Sequence, residues 1–167
     1  MPEKPLLLHS HNDYWCTRPL WDAIDYGCNM IEGDIIYMNN KLMLSHSWRP
    51  FAFMCYGELE ETYLKPIHQY CIDNPQKEMW MYVEYKDSNE KINDILHNLF
   101  LNYKIPNLHY TISAQNEKWY HKKRYKTAMK FYTKYKEELQ LAWKTTELAQ
   151  QYEIKKVDLF PESIWHF

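Results

Sequence analysis

Glycine is scarce here, with three in 167 residues. That excludes a collagen-like chain and a Gly-rich linker. Long apolar runs are missing as well. The segment Met1-Pro2-Glu3-Lys4-Pro5-Leu6-Leu7-Leu8-His9 offers only three consecutive apolar residues. A secretory leader needs roughly 7–15 of them and a membrane span about 20. The four cysteines (Cys16, Cys28, Cys55, Cys71) form no C-x-x-C pair, so neither a zinc knuckle nor a thioredoxin-type motif is indicated. Buried reduced thiols in a soluble cytoplasmic protein are the expectation. Charge of one sign is not in excess either. Twenty basic residues face 22 acidic ones, which gives no general reason to expect nucleic acid as a partner. Apolar residues make up 46% and aromatics 17%, enough for a sizeable core, so a disordered chain is excluded. The expectation is one domain over residues 1–167.

Along the chain, short apolar runs alternate with helical periodicity. Strands are expected at Leu6–Leu8, Met30–Tyr37, Met79–Tyr85 and Leu108–Ser113. Leu42–Leu44 follows the second strand across an Asn39-Asn40 turn. Helical stretches fall at 19–27, with proline near the start and glycine at the end, and at 57–73 and 89–103. Alternating strands and helices imply an α/β fold with a mainly parallel sheet. Residues 117–136 then carry eight Lys or Arg against one acid, with aromatics interleaved. This segment reads as a long helix with a solvated basic face, or as a basic wall beside an anionic substrate or a lipid surface. Helix at 144–152 and a last strand at 156–160 complete the expectation.

Three successive strands end on titratable groups: His9-Ser10-His11, Glu32-Gly33-Asp34 and Glu84-Tyr85-Lys86. Side chains alternate along a strand, so Glu32 and Asp34 share a face, as do Glu84 and Lys86, and His9 and His11 if the strand reaches them. In a parallel sheet or barrel the C-terminal strand ends form the active face. Three carboxylates converging there suit one hard divalent cation, Mg²⁺ or Ca²⁺. Imidazoles beside them suit general acid–base work. Each piece alone also reads as a solvated face, an ion pair or a structural histidine; their succession carries the inference.

The order H-x-H-N-D-Y (His9–Tyr14), R-P-L (Arg18–Leu20), E-x-D (Glu32, Asp34), a turn, an apolar strand and His46, then Glu84 and Lys86, resembles the glycerophosphodiester phosphodiesterase and phosphatidylinositol phospholipase C-like superfamily. The resemblance implies a TIM-type barrel and a metal-dependent phosphodiesterase, and the expected substrate is a glycerophosphodiester or (lyso)phospholipid-type phosphodiester, although substrate identity itself does not carry over. By position, it implies Glu32, Asp34 and Glu84 as metal ligands and His9 and His46 as the acid/base pair. Lys86, Asn12 and Arg18 would contact phosphate, and His11 would stand behind the ligands or join them.

The chain is short for this fold, since an eight-unit barrel usually takes about 250 residues. A shortened or incomplete barrel follows, with segment 117–152 replacing or covering part of its wall, or a second copy of the chain covering the open edge. Two rival readings remain open. One is an H-x-H metal hydrolase of the amidohydrolase or polymerase-histidinol-phosphatase type, which needs further histidine ligands. The other is an inactive truncated barrel that binds metal or phospholipid, in peripheral contact with a membrane.

Overall fold

The structure is a computed structural model, and it describes residues 3–162. Seven strands form one sheet: β1 (Leu6–Ser10), β2 (Met30–Met38), β3 (Lys41–Leu44), β4 (Met79–Tyr85), β5 (Leu108–Ser113), β6 (Ala142–Trp143) and β7 (Glu153–Val157). Their order is β6-β5-β4-β2-β1-β7, all parallel, with β3 paired antiparallel to the far half of β2. Apart from that hairpin, consecutive strands are spatial neighbours and the last returns beside the first. The sheet curls into a half-barrel, with β6 and β7 as its free edges.

The helices are α1 (Trp21–Tyr26), α2 (Lys65–Asp73), α3 (Lys91–Asn102) and α4 (Lys122–Tyr135). Helix α1 stops at Gly27, whose φ of 104° is open to glycine and costly for most other residues. A wide helical turn at Glu60–Leu64 runs directly into α2. The Asn39-Asn40 turn has positive φ at both positions (51° and 63°), the geometry of a two-residue hairpin loop that asparagine tolerates well.

The period of two sorts the strands cleanly. Ile31, Ile35, Met81, Val83, Tyr85, Leu108, Tyr110 and Ile112 face outward into the main core, against Leu59, Tyr63, Ile67, Ile92, Leu96, Phe100, Ala128 and Phe131 from the helical layer. Alternate residues face the concave side, where Leu7, Met30 and Tyr82 pack with Leu148. Gly33 allows the close outer packing, because a Cβ there would lie 3.0 Å from Met81 Cε and 3.2 Å from Leu44 Cδ2.

Two expectations need correction. The last strand is Glu153–Val157 rather than 156–160, since its pairing with β1 begins at Leu6↔Glu153. Strand β6 was not anticipated; at two residues, Ala142–Trp143, it is too short for a period of two to mark it. Segment 117–152 divides between the two sides of the sheet. Its helix α4 buries Thr127, Ala128, Phe131 and Tyr135 and packs on the outer side of β4 and β5. Residues 144–152 instead turn across the concave side, where Leu148 is buried and Tyr152 packs beside it. Among the described residues no helix is long and apolar enough to cross a membrane.

Candidate active site

The concave-face alternation that buries Leu7, Met30 and Tyr82 continues past them to His9, Glu32, Asp34, Glu84 and Lys86 at the C-terminal strand ends. Register fixes the arrangement: Asp34 stands opposite Glu84, and His9 opposite Met30, one step below Glu32 on the same face. Ligand oxygens of Glu32, Asp34 and Glu84 all lie within 4.8 Å of one another. Asp34 is fully buried, and Glu32 nearly so.

Carboxylates brought this close repel unless something holds them. Tyr14 donates its hydroxyl to Asp34 Oδ2 at 2.6 Å, and His9 Nε2 meets Glu32 Oε1 at 2.8 Å. Lys86 Nζ lies 2.6 Å from Glu84 Oε2, and Tyr82 donates to Glu84 Oε1 at 3.0 Å. With its amide nitrogen turned toward the carboxylates, the orientation their acceptors require, Asn12 donates to Glu32 Oε2 at 2.7 Å and to Asp34 Oδ2 at 3.2 Å. Asp34 Oδ1, also buried, has no hydrogen-bond partner. Burial, then the neighbouring carboxylates, raises Asp34 well above the ordinary carboxylate range, and burial raises Glu32 too. Burial also opposes ionisation of Glu84, but Lys86 beside it wins and holds that carboxyl below its usual value.

A cavity of about 230 Å³ opens above these groups, lined by His9, His11, Asn12, Glu32, His46, Glu84 and Lys86 among others. His46 arrives on the segment after β3, anchored where Ser45 N donates to Asp34 O at 3.0 Å. Its ring lies 5.2 Å from that of Trp15. Burial, then Lys86, lowers the pKa of His46 below 6.5. His9 is completely buried, and burial, then Lys144, pushes its imidazole well below the usual value. His11 is half-exposed, with Nδ1 on Asp158 Oδ1 at 2.7 Å.

Most of the residues singled out from sequence therefore meet in one cavity. Arg18 does not: its guanidinium lies 3.0 Å from Asp25 and 3.7 Å from Asp22 on the exposed side of α1. Asn12 reaches the cavity, but its amide is taken up by the carboxylates. Of the other histidines, His97 pairs with Glu138 and His109 with Glu78, while His68 packs on Tyr103, all away from this cavity. Lys144 and Lys156, which also line it, were missed. Lys156 was reachable in principle by strand alternation once the true start of β7 was known. Lys144 lies on a helical turn and left no signal. Asp13, quoted only as part of the motif, proves to be a buried hub that accepts from Ser10 Oγ at 2.6 Å, Leu20 N at 2.6 Å and Tyr63 Oη at 2.7 Å.

Comparison with known proteins bears on this site directly. The curated relatives include the altered inheritance of mitochondria protein 6 of Eremothecium gossypii, 29% identical over 104 residues, which covers 51% of this chain and 26% of that protein. The protein of the same name from Kluyveromyces lactis is 28% identical over 120 residues, 68% of this chain and 28% of its own. In Saccharomyces cerevisiae the figures are 27% over 104 residues, 52% and 27%. The chain thus spans roughly a quarter of the length of these relatives. No solved structure gives a significant match. The family model for the AIM6-like phosphodiesterase domain matches residues 3–91, over half of the chain, and takes in β1 through β4 with the three carboxylates, His9, His11, His46 and Lys86. On that match the chain belongs to the AIM6-like phosphodiesterase domain family.

Proposed function

We propose that this chain is a phosphodiesterase that uses one divalent cation and histidine acid/base chemistry on a glycerophosphodiester or a (lyso)phospholipid headgroup, within a half-barrel that is a shortened TIM-type barrel. The observation that carries the reading is the carboxylate cluster. Three carboxylates within 4.8 Å, with Asp34 Oδ1 buried and unpartnered, are costly without a cation. All-oxygen donors favour Mg²⁺ or Ca²⁺ over the transition metals that an H-x-H hydrolase would hold. Asn12 fits the same reading. Turned over, its amide would place an oxygen against Glu32 and Asp34, an arrangement tolerable only with a cation between them.

Glu32, Asp34 and Glu84 would hold the cation, with Asn12 beside them. Once bound, it would supply Lewis-acid stabilisation of charge on a phosphoryl oxygen. The chain's own groups do the rest. Lys86, fixed on Glu84, presents its ammonium to the phosphate. His46, kept neutral near pH 7 by burial and Lys86, accepts the proton of the attacking hydroxyl. His11, oriented by Asp158 through Nδ1, has Nε2 free to protonate the leaving oxygen. His9 suits this proton transfer less well than its place in the motif implies, because its Nε2 is committed to Glu32. We assign it to positioning that carboxylate.

The test is phosphorus NMR of glycerophosphodiesters and lysophospholipids incubated with the chain and Mg²⁺ or Ca²⁺. Turnover that disappears with EDTA and in His46→Ala is the expected result. His11→Ala should lower turnover with metal binding intact, whereas His9→Ala should chiefly weaken metal binding. No turnover by folded, metal-loaded protein would overturn the proposal in favour of a binding module.

A further inference from the structure

Two lysines of the cavity are not used by the chemistry above. Lys144 comes from the helical turn after β6, and Lys156 from the concave face of the edge strand β7. The Lys144 ammonium is half-buried and rests 4.8 Å above the centre of the Tyr82 ring, whose hydroxyl holds Glu84. Among the described residues neither lysine has a carboxylate within ion-pair distance, whereas Lys86 has Glu84. Burial and then Lys156 lower the pKa of Lys144, as expected of two ammonium groups facing the same space. Lys144, half-buried with no carboxylate beside it, and Lys156, exposed on the edge strand, thus converge from separate elements on one cavity wall, where an anion would meet both ammonium groups.

Charge balance gives the same answer. The three clustered carboxylates are matched in number by Lys86, Lys144 and Lys156 before any cation enters. Of the other acids, Asp158 is tied to His11, and Glu117 sits exposed at the rim, 3.6 Å from His121. A divalent cation therefore leaves two positive charges in excess, of which a phosphodiester offsets one, so that one positive charge remains. The surplus lies at Lys144 and Lys156.

We propose that Lys144 and Lys156 form a second anion subsite, so that the substrate is a phosphodiester carrying a further anionic group, a phosphomonoester or a carboxylate, on one of its two alcohol halves. This rests on the phosphodiesterase reading for the word substrate, but the subsite itself is a binding property and is tested apart from turnover.

The experiment is calorimetric titration of the Mg²⁺-loaded chain with propyl phosphate, with the α,ω-alkanediol bisphosphates of two, three and four carbons, and with the matching ω-phosphonooxy carboxylates. At least one bisanionic probe is expected to bind ten-fold or more tightly than propyl phosphate, and comparison of the two bisanionic series distinguishes phosphate from carboxylate. Lys144→Met and Lys156→Met should each remove most of that gain and leave propyl phosphate affinity within about two-fold. Lys122→Met on α4 controls for general attraction and should leave the gain intact. If Lys144→Met is poorly folded by thermal melting, Lys156→Glu on the exposed edge strand supplies the decision, turning the gain into a penalty. Equal affinities for all probes, or a gain that survives the Lys156 variants, would overturn the subsite. A gain without turnover on any diester would leave the subsite standing while the catalytic reading falls. Turnover without a gain would do the reverse.

Discussion

Asp13 should be among the most costly residues to remove in the N-terminal motif, although it contributes nothing to the cavity. Its carboxylate is fully buried and accepts from Ser10 Oγ, Leu20 N and Tyr63 Oη at 2.6–2.7 Å. Leu20 needs that bond most, since it holds φ 71° and ψ −52°, a strained γ-turn conformation for a residue with a Cβ. Asp13→Ala strands three buried donors. At about 1–3 kcal/mol for each unsatisfied group, and with Ser10 free to rotate elsewhere, the expected cost is about 3–5 kcal/mol. For a chain of this size that lowers Tm by roughly 6–20 °C. Asp13→Asn keeps one oxygen for Leu20 and Tyr63 and offers Ser10 a donor, so it should cost about 1–2 kcal/mol. The pH dependence follows from burial, which raises the folded pKa of Asp13 against the lowering effect of its hydrogen bonds from Ser10, Leu20, Tyr63 and Cys16. The contribution of Asp13 is then complete below the ordinary carboxylate range near 4 and declines as pH rises through the raised folded value. The stability gap between parent and Asp13→Asn should therefore narrow between pH 4.5 and 7. Urea denaturation of the two variants at both pH values is the assay. Asp13→Ala within 1 kcal/mol of the parent, or a gap that widens with pH, would refute the reasoning.

Other consequences follow from single positions. Gly33→Ala inserts a Cβ 3.0 Å from Met81 Cε and 3.2 Å from Leu44 Cδ2, both flexible ends. It should cost about 1–2 kcal/mol by overpacking and weaken Mg²⁺ binding, because Gly33 lies between Glu32 and Asp34; urea midpoints and metal titration read both effects. Asn39→Ala, at φ 51° in the hairpin turn, should cost about 1 kcal/mol, while Asn39→Gly should be close to neutral, which thermal melts would distinguish. His46 should titrate below pH 6.5 by proton NMR, since burial and Lys86 disfavour its charged form, and Lys86→Met should move that value upward. An upward shift absent in Lys86→Met would mean that burial alone sets it.

Much of the site was readable from the chain because it depends on a strand period of two. Once β2 and β4 are strands, Glu32 with Asp34 and Glu84 with Lys86 must share a face, whatever the rest of the molecule does. The apolar runs delimiting β4 and β5, the Asn-Asn turn and the Gly27 stop are equally local, each set by steric and burial preferences within a few residues. The tertiary structure alone decided the rest. Strand register placed Asp34 against Glu84, and the fold gathered both with Glu32 so that their ligand oxygens lie within 4.8 Å of one another. His9 and His11 are two residues apart and look alike in sequence. Only the fold commits one to Glu32 and gives the other Asp158, 147 residues along the chain. Arg18 sits in the same motif yet is turned away by α1, where Asp22 and Asp25 take it. Lys144 reaches the cavity because residues 144–152 turn across the concave side of an open half-barrel. No local pattern encodes that, since long-range packing sets where such a segment lies.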